Sequence, residues 1–428
     1  VNPRQRSALT EPILFLIALA WFWFWRPYGF YGGDSEYLDR QISDGLWFRK
    51  REPLAVAAMQ ISYQMVHPLL GWPPGWGISL VSCLAGAVAI VLLWRLCRDG
   101  DRPRLTFFLT LASGYLLLFH GSIEAYALPT CLLALWILAV HRVEQGMWPG
   151  SSIPLAFAGM AWCHTMAFCL SPALLLSAWF HRKGIGAEWK NWLMAGMLLV
   201  GLYVFTDVLQ IGHGPGFTHR PALITLGGPE EWGPLFSAKH FAIKAHFLWV
   251  GLHVTLPFAL MWVCKKWRSR EDLQIAALAV SGLAFLVYFH PDSGYLDWDL
   301  FLLPSLPVAV LGARWVASSS KPTIWTTVWL AGFLLIWIPR VPVWVQLEER
   351  GLGEVFLSDF TEEHRFQLDD RFELTAPTLR VQGGWHTVNR RVSGSRTQWK
   401  AFHVVPGEKV NVPPFGAVVP IPDYRGPR

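Results

Sequence analysis

Residues 77–104 read GISLVSCLAGAVAIVLLWRLCRDGDRPR. Positions 77–97 hold no acid and a single base, Arg95, at the far end. About 20 apolar residues in a row match the thickness of a bilayer's hydrocarbon core. Arg98, Arg102 and Arg104 then crowd around Pro103. A short basic turn after such a run marks a span that ends on the cytoplasmic face. This stretch therefore suggests both a class and an orientation.

Counting outward predicts eleven spans, at about 11–25, 77–97, 105–119, 126–142, 153–166, 168–181, 190–208, 241–263, 273–289, 300–317 and 323–339. Composition agrees: of 428 residues, 53% are hydrophobic and 15% charged, against about 25% charged in soluble domains. A water-soluble enzyme and a disordered chain are both excluded. The 25 Trp fit a belt at the membrane–water interface, where Trp21, Trp23, Trp25, Trp72 and Trp76 are expected. The six Cys lie in or beside apolar segments without CxxC spacing, so neither a disulfide framework nor a zinc site is indicated. The net charge of +6 comes from short loops and reflects topology, not nucleic-acid binding. The first apolar block lacks a small-residue cleavage site and runs into Arg26-Pro27, which reads as an anchor.

Two segments control sidedness. Pro53–Leu70 carries Gln60, Ser62, Gln64 and His67 and ends in Gly71-Trp72-Pro73-Pro74-Gly75-Trp76. We place it along the outer surface. Ser152–His181 reads as two short spans turning near His164 and Ser171-Pro172. With these choices, loops expected inside after residue 77 hold fourteen basic residues, and the opposite side holds three, Arg220, Lys239 and Lys244. The expected fold is an all-α multi-pass membrane domain, residues 1–340, with an amphipathic first outer loop at 26–76. An extracytoplasmic tail, 341–428, reads as short strands broken by Pro and Gly. The absence of an internal repeat argues against a transporter.

This sidedness gathers the unusual polar residues at the outer face. Asp34 follows Gly32-Gly33, and Leu38, Ile42 and Leu46 then recur every fourth residue, predicting an interfacial helix over 35–48. Asp34 can take a proton from an acceptor hydroxyl, or simply cap that helix. Asp34-Ser35-Glu36 also has a spacing that can offer oxygens to Mg²⁺ or Mn²⁺. Glu124 sits in the tight turn His120–Tyr126. His290, Asp297 and Asp299 border the last outer loop and are candidates for acceptor binding. Arg40, Arg49, Lys50, Arg51, Arg220, Lys244 and His246 are candidate partners for a lipid phosphate. His164 is the deepest polar candidate at the short hairpin's turn, and a membrane His is most often a packing residue.

The layout resembles the GT-C superfamily of membrane glycosyltransferases, in its protein O-mannosyltransferase and aminoarabinose-transferase branch. The resemblance rests on Gly33-Asp34-Ser35-Glu36 after one span, the surface stretch Pro53–Leu70, the basic turn Arg95–Arg104, the acidic loop His120–Tyr126 and Asp297-Trp298-Asp299-Leu300-Phe301. It covers roughly residues 8–340. It implies a sugar donor on a polyprenyl phosphate, an acceptor hydroxyl on protein, lipid or glycan, and inverting transfer in a bacterial inner membrane. The general base falls on Asp34, with Glu36 as second choice. The motif here is Asp-Ser-Glu, not the adjacent Asp-Glu common in the mannosyltransferases. A non-catalytic polytopic subunit, or a lipid-binding member of a membrane complex, stays open as the alternative.

Overall fold

The computed structural model describes residues 3–25, 34–72, 74–113, 120–121, 125–209, 211, 241, 244–245, 248, 252, 254–266, 269–288 and 302–337, and the backbone of six strands between 354 and 410. Of Asp34–Tyr37 and Arg40 it describes the backbone. The chain divides into two compact units, Val1–Gly29 with Gly33–Trp337, and Phe30–Gly32 with Ile338–Arg428.

The helices of the first unit are α1 (Pro3–Trp25), α2 (Asp34–Ser43), α3 (Pro53–Leu70), α4 (Pro74–Cys97), α5 (Pro103–Leu111), α6 (Ala127–Glu144), α7 (Ser152–Cys163), α8 (Ser171–Ile185), α9 (Trp189–Tyr203), α10 (Thr255–Lys266), α11 (Arg270–Tyr288), α12 (Leu302–Ser318) and α13 (Pro322–Trp337). A 3-10 turn, Thr165–Leu170, separates α7 from α8, and a π turn, Val204–Val208, closes α9. Proline opens α3 and α5, where its missing N–H would have no helical partner anyway. Gly71 ends α3 in the left-handed conformation, φ 65°, with its N–H on the His67 carbonyl.

Among the described residues three helices are long and apolar enough to cross a membrane: Pro74–Cys97, Ala127–Glu144 and Trp189–Val208. Thr10–Phe24, Ser152–Cys163 and Pro322–Leu335 are shorter and apolar. The predicted break in Ser152–His181 falls where expected, at His164, whose backbone is extended. α4 is the hub, packed against α1, α3 and α6. α12 packs against α10 and α11. Gly282 lets α11 approach α12 closely: a Cβ there would stand 2.7 Å from the Pro304 nitrogen. All six cysteines are free.

The expected 35–48 helix is shorter. It stops at Ser43, and Gly45 follows with φ 84°. Its stripe also faces protein, not lipid. Leu38 and Ile42 are 1% and 0% exposed and share a core with Ala55, Val56, Met59, Ile78, Ala125 and Cys163, against which Leu46 packs. Buried Gln60 of α3, with its amide oriented to satisfy the network, donates to the Ile42 and Leu46 carbonyls. A polar group in an apolar core requires such partners. This explains a Gln in a segment otherwise suited to a surface.

Charges fasten one end of this unit. Arg95 and Arg98, at the end of α4, hold Glu11 of α1. Asp99 meets Arg98 and Arg142 of α6. His141 bridges towards Glu271 of α11, and Arg314 of α12 holds both Glu271 and Asp272. Glu188 accepts the Gly150 and Ser151 N–H groups at the start of α7.

In the second unit, β1 (Glu354–Ser358), β2 (Glu363–Gln367), β4 (Gly384–Arg390) and β5 (Gln398–Val404) form an antiparallel sheet in the order β2-β1-β4-β5. β3 (Leu379–Arg380) pairs with β6 (Lys409–Val410).

Candidate functional site

The opposite end of the helical unit brings together the loop before α3, the α7–α8 corner and the π turn of α9. The loop carries Arg49, Lys50, Arg51 and Glu52. Consecutive cations repel one another, so holding three in one folded loop requires counter-charge. Two carboxylates supply it. Glu52 Oε2 lies 3.1 Å from Arg49 Nη1. Asp207 Oδ1 lies 3.4 Å from Lys50 Nζ. Arg51 is exposed, and its carbonyl accepts the Thr165 N–H at 2.8 Å.

Glu52 directly precedes Pro53 and is 2% exposed. An acid there sits well against the helix dipole. Burial alone would raise its pKa. The charges of Arg49, His164 and Arg51 and the His164 hydrogen bond outweigh burial and hold it at about 2. The carboxylate is therefore a fixed anion at working pH.

His164 is locked in place. Its Nδ1 accepts the Met166 N–H at 3.0 Å. A ring nitrogen that accepts carries no proton, so in the neutral ring the proton sits on Nε2. That atom lies 3.4 Å from Glu52 Oε1. Tyr126 stacks on the ring, centroids 5.0 Å apart. Both ring nitrogens of His164 are thus engaged within the protein, one at Met166 and the other towards Glu52.

The loop is also gripped by aromatics. Phe48 meets Phe205 of the π turn edge-on at 5.0 Å, and Trp162 packs on the other side of Phe205 at 5.6 Å. Trp23, Trp72 and Trp76 meet at this same end, Trp23 and Trp72 stacked at 5.0 Å.

Asp34 is the first residue of α2, and Glu36 lies in that helix's first turn. α2 packs on α3 and α4 through Leu38 and Ile42, which puts its backbone at the end that carries Arg49–Glu52. Arg40 lies on the same helix. Gly121 donates to Ser82 Oγ of α4 at 2.9 Å, so residues 120–121 lie against α4. Lys244 is 7% exposed on helical backbone. Glu124, Arg220, His246, His290, Asp297 and Asp299 lie outside the described residues. Among the described residues no group of three or more His, Cys, Asp or Glu is placed to hold a metal ion.

Sequence reasoning missed Glu52 and Asp207. Each left a signal. Glu52 is the acid that ends a basic run just before a helix-opening proline. Asp207 is the one acid in the apolar stretch 189–209, and an acid there is costly unless it is paired.

No family model matches the chain, and no curated protein matches it. Among solved structures it is similar to ArnT from Cupriavidus metallidurans bound to undecaprenyl phosphate, at 14% identity and TM-score 0.51, over 76% of this chain and 63% of that one. The same protein in its apo state aligns at 13% identity and TM-score 0.49, over 74% of this chain and 62% of that one. The chain thus spans somewhat less than two thirds of ArnT's length. The likeness shows the fold: this chain is built like ArnT over the aligned part.

Proposed function

We propose that the chain is a membrane glycosyltransferase that takes a sugar from a polyprenyl-phosphate donor and passes it to an acceptor hydroxyl. The observation that carries this reading is the loop at 49–52. It presents three cations, Arg49, Lys50 and Arg51, against two built-in carboxylates, Glu52 and Asp207. Among the described side chains the loop meets one carboxylate fewer than it has cations, which suits a phosphate ester, and the loop lies at the end where the Asp34 helix docks. The ArnT-like fold supports a lipid-linked donor, because that relative was crystallised with undecaprenyl phosphate.

In this reading Asp34 removes the acceptor's proton, with Glu36 as the second choice. The acceptor oxygen attacks the anomeric carbon from the face opposite the phosphate. The sugar–oxygen bond breaks, and its electron pair leaves on the lipid phosphate. Arg49, Lys50 and Arg51 stabilise that charge, with Arg40, Lys244, Arg220 and His246 as further candidates. His290, Asp297 and Asp299 are assigned to the acceptor side, and Glu124 joins the catalytic group, where it would pair with a base or complete a metal site. An Mg²⁺ or Mn²⁺ ion at Asp34 and Glu36 is the variant of this reading. The protein sits in a bacterial inner membrane with eleven spans, its N-terminus cytoplasmic, and Asp34 and the tail at 341–428 outside.

The test is Asp34→Asn, assayed for transfer in proteoliposomes. The base contributes about a thousandfold to the rate, so turnover is expected to fall by that order while the melting temperature holds. Full turnover in the variant removes Asp34 from the chemistry. Failure of the wild type to bind polyprenyl phosphate removes the reading and favours a non-catalytic membrane subunit.

A further inference from the structure

Asp207 is unexplained by the transfer chemistry. It sits on the π turn Val204–Val208, a rare backbone form that recurs at functional sites. The Thr206 hydroxyl lies 2.9 Å from both Asp207 Oδ2 and the Leu202 carbonyl, and its single proton is shared between these two acceptors. The carboxylate is therefore aimed by the turn. What it meets is Lys50 at 3.4 Å, and the two side chains are 10% and 15% exposed. The pair is thus largely shielded from water, where charges act more strongly. Yet Lys50 belongs to the one loop that the proposed reading gives to the lipid phosphate.

We infer that Asp207 is an internal counter-anion that competes with the lipid phosphate for Lys50 and so weakens retention of the spent carrier. This rests on the proposed phosphate role of the 49–51 loop. The charge arithmetic favours it. A sugar–phosphate–lipid diester carries one negative charge and matches the loop's excess of one cation. After transfer the phosphate is a monoester with a charge near two at neutral pH. With Arg49 held by Glu52, Lys50 and Arg51 together would match the product's charge and hold it tightly. Asp207, poised on Lys50, takes back one of them and favours dissociation.

Phe48 and Phe205 make this pairing possible. Their edge-on contact fixes the loop to the π turn next to the ion pair. The distance between Lys50 and Asp207 is therefore set by packing and does not depend on the ion pair alone.

The experiment measures binding of undecaprenyl phosphate, incorporated in nanodiscs, to the full chain. Five proteins are compared: wild type, Asp207→Asn, Asp207→Glu, Lys50→Gln and the double variant Asp207→Asn/Lys50→Gln, which closes the cycle. Removing the competitor should tighten binding by about fivefold in Asp207→Asn, given the modest worth of partly shielded pairs. Asp207→Glu keeps the charge and should bind as wild type does. Lys50→Gln should weaken binding, and adding Asp207→Asn to it should then change nothing. Unchanged or weaker binding in Asp207→Asn, with the melting temperature of Asp207→Glu retained, overturns the inference and leaves the phosphate site standing. A wild type that binds no undecaprenyl phosphate overturns the phosphate reading, and the inference with it.

Discussion

The helical unit has a charge cluster at each end, and the two differ in one respect. At the α4 C-terminal end, Arg95, Arg98, Arg142 and Arg314 face Glu11, Asp99, Glu271 and Asp272. Cations and carboxylates balance there, four to four, and His141 is shared between Asp99 and Glu271. At the other end three consecutive cations face two carboxylates. A balanced network is complete within the protein and can only hold helices together. Among the described residues the second cluster is unbalanced, and in the proposed reading an anion from outside completes it. Similar residues would then serve structure at one end and recognition at the other.

The contrast is broken most directly at the balanced end. Arg314→Ala strands Glu271 and Asp272, and losing one partner of a buried pair costs about 3–5 kcal/mol. The melting temperature in detergent should fall steeply, while the molecules still folded keep their phosphate affinity. Preserved stability would mean that the network is ornamental.

Next comes Glu52→Gln. It leaves Arg49 and His164 without their anion, at about 1–3 kcal/mol for a buried unmet partner. Unlike Arg314→Ala, it should also alter lipid-phosphate affinity, because it shifts the loop's charge. Equal affinity in wild type and variant would separate Glu52 from recognition. A smaller effect is expected from Arg51→Gln. Arg51 is exposed, so stability should hold, and phosphate affinity should drop by about tenfold. A lowered melting temperature with unchanged affinity would reverse the assignment.

Acid titration refines the comparison. Glu52 and Glu271 each have a folded pKa of about 2 against 4.5 unfolded. For Glu271, burial pulls upward and the charges of Arg314 and His141 prevail. A depressed carboxylate pKa gives stability that is present in full above about 4.5 and is lost as pH falls towards about 2. Chemical denaturation across that window should therefore show a declining unfolding free energy, and Glu52→Gln and Glu271→Gln should each flatten the decline. An equally steep decline in both variants would assign it to other groups.

Much of this architecture can be read in the chain itself. Apolar runs bounded by Arg turns locate helices, and Pro53, Pro103 and Gly71 mark where they start or stop. His164 with Ser171-Pro172 marks the break that splits one apolar stretch into α7 and α8. Other features depend on which surfaces meet, and periodicity is silent on that. The Leu38–Ile42 stripe fits a lipid surface or a protein one equally well, and only packing against Val56 and Ile78 decides. The Glu52–His164 and Lys50–Asp207 pairs join residues far apart in sequence. Local spacing cannot propose such partners, although an acid inside an apolar span hints that one exists. The ring tautomer of His164 was likewise out of reach, because it depends on one backbone N–H two residues ahead.

The fastened end has a mechanical consequence. Ties among α1, α4, α6, α11 and α12 leave little room for those helices to part where they are joined. Tweezers pinned at the bridge can spread only at the tips. In the proposed reading, a long isoprenoid tail would then enter away from this bridge, without unseating the rest of the bundle.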